Sequence, residues 1–195
     1  MVFDPIKPYR CNQITLDFAT ENWERRQYWD LRKEVFVKEQ GIFEDTDRDV
    51  IDGNAIPIVA KCECMGMSDH VVGVVRIDER SSGIWYGSRL AVVENYRTLS
   101  RFQTKKLFEN ENVHPFTLSV GAALIFKAVS TANYYDCDRF LAHVQKQNVR
   151  FFERMHWKIL DTVEILGKEH ALMEADLNFY PASVYAAEIH KSVAL

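Results

Sequence analysis

Apolar and polar positions alternate along this chain with a period that switches repeatedly between two and about 3.6 residues. Residues 13–19, Gln-Ile-Thr-Leu-Asp-Phe-Ala, alternate with period two and predict a first strand. From 23 to 38 the period becomes helical, with Tyr28, Leu31 and Val35 forming an apolar seam. Thr20 or Asn22 is placed to cap that helix, Glu21 and Glu24 fall in its first turn, and Gly41 breaks it. Arg25, Arg26, Arg32 and Lys33 read as mostly its wet side. Residues 56–64 and 71–77 predict two strands around a turn at 65–70, and a second turn at 80–83 leads into a strand over 84–93. Three consecutive strands with short turns make an antiparallel meander.

The second half alternates element types. Residues 120–132 are apolar nearly all round, with Lys127, Ser130 and Thr131 as a narrow polar stripe, which predicts a helix buried against a sheet. Residues 139–144 predict a buried strand, so the strand–helix–strand order implies a crossover with locally parallel pairing. A short helix over 146–155 follows, with Val149, Phe151, Phe152 and Met155 inward. Residues 158–166 and 169–177 flank Gly167-Lys168 as a final hairpin, and the tail beyond 179 reads as a weak helix over 182–193. The sum is a single α+β domain over 1–195, its core at 13–177: a mixed sheet of about seven strands with helices on both faces. A polar excursion at 98–118 is long for a connection inside a compact domain, and reads either as a lid or as a disordered insertion.

Composition narrows the function classes. The chain has 195 residues, 47% hydrophobic and 27% charged, enough for a packed core. Its net charge of −4 argues against a nucleic-acid partner. No apolar run is long enough to span a bilayer, and residues 1–8 lack the apolar stretch of a secretory leader, so a cytoplasmic location is expected. The cysteines, Cys11, Cys62, Cys64 and Cys137, read as reduced thiols; Cys62-Glu63-Cys64 has no companion pair at a zinc-like distance, and no metal is expected. Asp45-x-Asp47-x-Asp49 is not a calcium loop, because Val50 stands where the turn glycine belongs and Ile56 where the closing glutamate belongs. That acidic 39–52 stretch reads as a solvated loop or as one wall of a pocket for a cationic amine.

The chemistry concentrates in residues 84–132. A strand there delivers a basic, small-residue segment onto the start of a helix. The first N–H groups of a helix have no intrahelical partner and carry partial positive charge. Gly121 and Ala122 admit a phosphate close to that backbone, and Arg97 and Arg101 add charge.

Leu90-Ala91-Val92, then Tyr96-Arg97, then Val120-Gly121-Ala122-Ala123-Leu124-Ile125 resembles the acetyl-CoA motif of the GNAT N-acetyltransferases, interrupted by about twenty extra residues. Leu31-Arg32-Lys33-Glu34-Val35-Phe36-Val37-Lys38-Glu39-Gln40-Gly41 resembles the first-helix signature of a GNAT subgroup and of the acyl-homoserine-lactone synthases, which share the fold. Residues 147–157, Gln-Asn-Val-Arg-Phe-Phe-Glu-Arg-Met-His-Trp, resemble the family's fourth helix. The resemblance implies a GNAT acyl-CoA N-acyltransferase fold and direct attack of a small-molecule amine on an acyl-CoA thioester. Acetyl-CoA or another acyl-CoA is the implied co-substrate, and a homodimer is possible. It places the cofactor on Leu90, Ala91, Val92, Arg97, Arg101, Ser119, Val120, Gly121, Ala122, Asn148 and Phe152. The Val92 N–H would hold the acyl carbonyl. Phe152 stands at the family's tyrosine acid, leaving Tyr134, Tyr135 or a water as thiolate donor. Glu39, Glu94 and His143 are candidate bases, and Arg32 and Trp85 candidate substrate contacts. Two further readings stay open: an acyl-homoserine-lactone-synthase-like enzyme, and a non-catalytic acyl-CoA-binding module.

Overall fold

The computed structural model describes residues 11, 13–99, 102–105, 114–116 and 119–182. The strands are β1 (Gln13–Phe18), β2 (Ile56–Cys64), β3 (Met67–Ser81), β4 (Ile84–Val92), β5 (Phe102–Lys105), β6 (His114–Phe116), β7 (Arg139–Gln145), β8 (Trp157–Ile165) and β9 (Lys168–Ala175). Among the described residues they form one nine-stranded sheet in the order β6-β5-β1-β2-β3-β4-β7-β9-β8. The helices are α1 (Asn22–Arg32), which runs on as a π-helical segment over Lys33–Glu39, α2 (Glu94–Arg97), α3 (Val120–Tyr134) and α4 (Val149–Arg154).

Alternation along the central strands feeds two cores. Ile58, Ala60 and Cys62 of β2 face α3, whereas Val59 joins Tyr28, Leu31, Val35 and Phe36 of the first helix on the opposite face. Helices therefore cover both faces of the sheet, as the periodicity predicts. α3 is buried through nearly its whole length and lies so close to β3 that a Cβ at Gly73 would stand 2.8 Å from Leu124. The capping of α1 differs from the expectation. Glu21 is the N-cap, and the buried Glu24 carboxylate accepts from the Thr20 and Glu21 amides at 2.9 and 3.0 Å.

The excursion at 98–118 is where the sheet gains two strands. β5 pairs in parallel with β1, and β6 pairs antiparallel with β5. Its described part thus extends the sheet beyond β1, away from the gap between β4 and β7, and does not act as a lid there. Phe102 and Thr104 are buried. Three- and four-residue strands are too short for period-two alternation to announce them. The tail helix expected over 182–193 lies almost wholly outside the described residues.

Candidate active site

Two neighbouring parallel strands separate in mid-sheet. β4 and β7 pair only at Ile84–Arg139, Trp85–Phe140 and Tyr86–Leu141, after which the ladder stops. Two local features of β4 account for the divergence. At Gly87 the Phe140 ring presses against the backbone, so that a Cβ would lie 2.9 Å from its Cε1. At Arg89 the chain takes a left-handed φ of 56° within a register shift against β3, from Arg76–Ser88 to Val74–Ala91. An extra residue in one strand bends it and increases its twist, which turns β4 away from β7.

A cavity of about 300 Å³ occupies the gap. Its lining takes Phe140, Ala142 and Val144 from one face of β7 and His143 and Gln145 from the other, so it passes through the sheet. On β4 it is lined by Gly87, Ser88, Arg89 and Leu90. The Val93 N–H donates to Val72 of β3 at 2.9 Å. Since N–H directions alternate along a strand, the Val92 N–H is turned to the opposite edge, toward the gap. The N-terminus of α3 follows α2 at the same end, with the Ser119 hydroxyl accepting from Ala122 N at 3.3 Å. A side chain would fit at Gly121, where a Cβ would meet Val92 Cγ2 at 3.8 Å and Ser119 Oγ at 3.9 Å as ordinary contacts.

The predicted site residues divide into those at the cavity and those spent elsewhere. Leu90, Asn148, Phe152 and His143 line it. Phe152 is buried and packs edge-on against Trp157 at 5.1 Å, and its ring offers no proton to donate. His143 stacks on Tyr86 with centroids 6.1 Å apart. Its side chain is exposed at the mouth of the gap, yet partial desolvation and then the neighbouring Arg80 and His170 push its pKa below the ordinary histidine value. Ala91 and Val92 of β4 are buried, as are Val120 and Ala122 of α3.

The other two candidate bases stand outside the cavity lining. Glu39 and Arg97, expected in separate roles, are joined: the Arg97 fork donates to the Glu39 carboxylate at 2.6 and 2.5 Å, and its Nε donates to the Val92 carbonyl at 2.9 Å. Hydrogen bonding from Arg97 holds the Glu39 pKa down, which makes it a weak base. Glu94 is exposed on α2. Arg101 lies outside the described residues.

Arg32 and Trp85 are not substrate contacts, contrary to expectation. Neither lines the cavity. Trp85 is buried, stacked on Tyr135 at 6.0 Å. Arg32 is not on a wet face: it is 0% exposed, and its guanidinium donates to Asp47 at 2.7 Å, to Asp52 at 2.6 and 3.1 Å and to the Tyr28 hydroxyl at 2.9 Å. Arg76 joins the cluster through Asp49 at 2.6 and 2.7 Å, and Arg89 through Asp49 at 3.1 Å and the Asp47 carbonyl at 2.9 Å. The acidic stretch is therefore part solvated and part wall: Glu44 and Asp45 are exposed, while Gln40, Ile42, Phe43, Asp49 and Ile51 line the cavity, and much of its charge is neutralised. Asp47, Asp49 and Asp52 are matched by three arginines. The cluster also ties Arg89 down in its left-handed conformation, a position a non-glycine residue holds only when its surroundings fix it. Tyr134 and Tyr135, the alternative thiolate acids, sit at the far end of α3 outside the cavity lining.

Sequence reasoning missed Arg76 and Arg89, both at the cavity. Each is a basic residue within a strand, marked only by carboxylate partners some 27 and 40 residues away.

No protein-family model matches the chain, and no curated protein sequence matches it. Solved structures do. A candidate N-acetyltransferase from Lactobacillus plantarum superimposes with a TM-score of 0.67 at 19% identity, covering 85% of this chain and 99% of that one. The fold is that of the GNAT N-acyltransferases. An acyl-CoA N-acyltransferase from Pseudomonas aeruginosa gives 0.59 at 16% identity over 83% and 98% of the two chains. TofI, solved in a ternary complex with an inhibitor and MTA, gives 0.56 at 16% identity over 90% and 96%. Among the described residues, no helix is long and apolar enough to cross a membrane.

Proposed function

We propose that this chain is an acyl-CoA-dependent N-acyltransferase that moves an acyl group from the thioester to a small-molecule amine. One observation carries the reading: β4 and β7 part after Tyr86–Leu141, and the gap between them is a cavity running through the sheet. In this reading the pantetheine arm lies in the gap and the acyl carbonyl accepts from the Val92 N–H. The diphosphate lies on the amides that open α3, and the amine enters from the face of His143. An N–H held toward the carbonyl stabilises the oxyanion that forms when the amine adds.

His143 is the base in this scheme. It alone among the three candidates lines the cavity, and its depressed pKa keeps it unprotonated, so that it can take a proton from the acceptor's ammonium and release the neutral amine that attacks. The tetrahedral intermediate then expels the CoA thiolate. A thiolate leaves without a strong acid, because a thiol pKa is about 8.5 rather than that of an alcohol, so Phe152 at the family's tyrosine position is compatible with turnover. The base makes a pH prediction. A histidine whose pKa is lowered works to a more acidic limit, so the acid limb of kcat/KM is expected below pH 6.5. Arg80→Gln removes one of the cations that disfavour imidazolium, and should move that limb upward. A limb that stays put in Arg80→Gln and survives in His143→Gln assigns the proton transfer to another group.

The apolar end of the cavity, formed by Ile125, Ala128, Phe140 and Phe152, favours an acyl group longer than acetyl. The test is release of free CoA from acyl-CoAs of increasing chain length, read with a thiol reagent across a panel of amines and amino acids. Amine-dependent release that rises with chain length supports the reading. Binding of acyl-CoA without release for any acceptor would leave a binding module instead.

A further inference from the structure

A second cluster of ligand-type side chains lies at the opposite end of β3 from its turn into β4. Cys62 of β2 and His70 of β3 are directly opposed, so their side chains share a face. The register then slips, from Cys62–His70 to Glu63–Ser68, leaving Asp69 as an extra residue. Such a bulge re-aims side chains, here drawing Asp69 in beside His70. The Cys62 sulfur, an Asp69 carboxylate oxygen and a His70 ring nitrogen all lie within 4.8 Å of one another. Ligand atoms of a tetrahedral zinc site stand roughly 3.3–3.6 Å apart, so closure requires about an ångström of side-chain movement.

Cys62 belongs to the packed core, while His70 and Asp69 give the cluster a polar, accessible side. Asp69 holds the His70 ring, Oδ2 to Nδ1 at 2.9 Å. The other ring nitrogen points inward, 3.5 Å from the Tyr96 hydroxyl, which itself lies 3.9 Å from the Cys62 sulfur. The 2.9 Å between Asp69 Oδ2 and His70 Nδ1 is close to the spacing of two ligands on one tetrahedral ion, so the ion would take the place of the proton they share. Access is one-sided: Cys62 is 0% exposed, while the His70 and Asp69 side chains are 38% and 55% exposed.

We propose that Cys62, His70 and Asp69 bind a divalent zinc-like cation. The mixed sulfur, nitrogen and oxygen set suits zinc, whereas magnesium and calcium take oxygen alone. Binding displaces the thiol proton and forms a metal–sulfur bond, with no change in oxidation state. The ion would join the β2–β3 hairpin to Tyr96 of α2, and so to the segment that carries β4 toward α3. It lies apart from the cavity, and the proposal does not rest on the transferase reading.

The test is titration of the intact chain, purified under reducing conditions, with cobalt(II) and then zinc(II). One equivalent of cobalt is expected to produce a thiolate-to-metal charge-transfer band and the visible bands of tetrahedral coordination, both bleached by zinc. His70→Gln should weaken zinc affinity at least tenfold and Cys62→Ser should abolish the charge-transfer band, while Cys64→Ser leaves both intact. Circular dichroism checks that each variant is folded, and the partly exposed His70 keeps the test decisive if Cys62→Ser does not fold. Zinc should also raise the Tm of the unaltered chain but not of His70→Gln. No band at stoichiometric cobalt, or a band that persists in His70→Gln with undiminished affinity, overturns the proposal.

Discussion

Arg32→Ala is expected to destabilise the fold by about 3–5 kcal/mol, the effect of breaking a buried ion pair by removing one partner. Arg32 is wholly buried, and the Asp47 and Asp52 side chains it holds are only 3% and 10% exposed. Alanine would leave those carboxylates short of donors and empty a space on the Tyr28 side. A loss of that size is a large share of the 5–15 kcal/mol typical of a domain, and implies a Tm lower by about 6–20 °C. Denaturant unfolding measures it directly, and a loss under 1 kcal/mol would refute the role given to the cluster. Arg32→Lys keeps the charge but not the planar fork, and should fall in between.

The same cluster sets an acid limit. Burial opposes the Asp52 charge, but hydrogen bonds from Arg32, the Asp49 amide and Arg76 prevail and bring its pKa down to about 2. A carboxylate with a depressed folded-state pKa contributes stability above its unfolded value near 3.8, and that contribution is lost as pH falls from there toward 2. Acid unfolding followed by fluorescence should therefore report this loss between pH 4 and 2. In Arg32→Ala the midpoint should move to higher pH.

Gly121→Asp is expected to do the opposite: leave the fold intact and remove cofactor binding. A side chain there meets only ordinary contacts at 3.8 and 3.9 Å. Aspartate is a better helix former than glycine, and in the first turn it also complements the helix dipole, so stability should hold or rise by a few tenths of a kcal/mol. Yet the carboxylate would occupy the place and carry the sign of the diphosphate. Affinity for CoA should drop about 100-fold, equivalent to about 2.7 kcal/mol. Calorimetric titration of both proteins tests this, with Gly121→Ala as the control that adds bulk without charge. Equal affinity in Gly121→Asp and the unaltered chain would remove the diphosphate from the start of α3.

How much of this was legible follows from the range of the forces involved. β2 over Ile56–Cys64 and α3 from Val120 are written in local periodicity, and both appear where the pattern places them. β5 and β6 have four and three residues and owe their existence to pairing beyond β1, which no local pattern encodes. Arg32 falls on the helical face that also carries Tyr28 and Phe36, but arginine on a helix reads as wet unless its partners are known. Those partners lie fifteen and twenty residues on. The pairing of Glu39 with Arg97, 58 residues apart, was hidden for the same reason. The cavity was legible where a motif of fixed spacing marked it, at Leu90, Asn148 and Phe152. The bend that opens it was not, because it depends on a strained Arg89 and on the Phe140 ring against Gly87.

The structure of the chain with CoA bound tests the central claim most directly. The expected result is a pantetheine arm threaded between β4 and β7 beyond Gly87, with the diphosphate on the amides of residues 120–122 and the thiol near the Val92 N–H. A complex with CoA seated elsewhere, or β4 and β7 hydrogen-bonded along their full length in a chain that takes up no CoA, would contradict it.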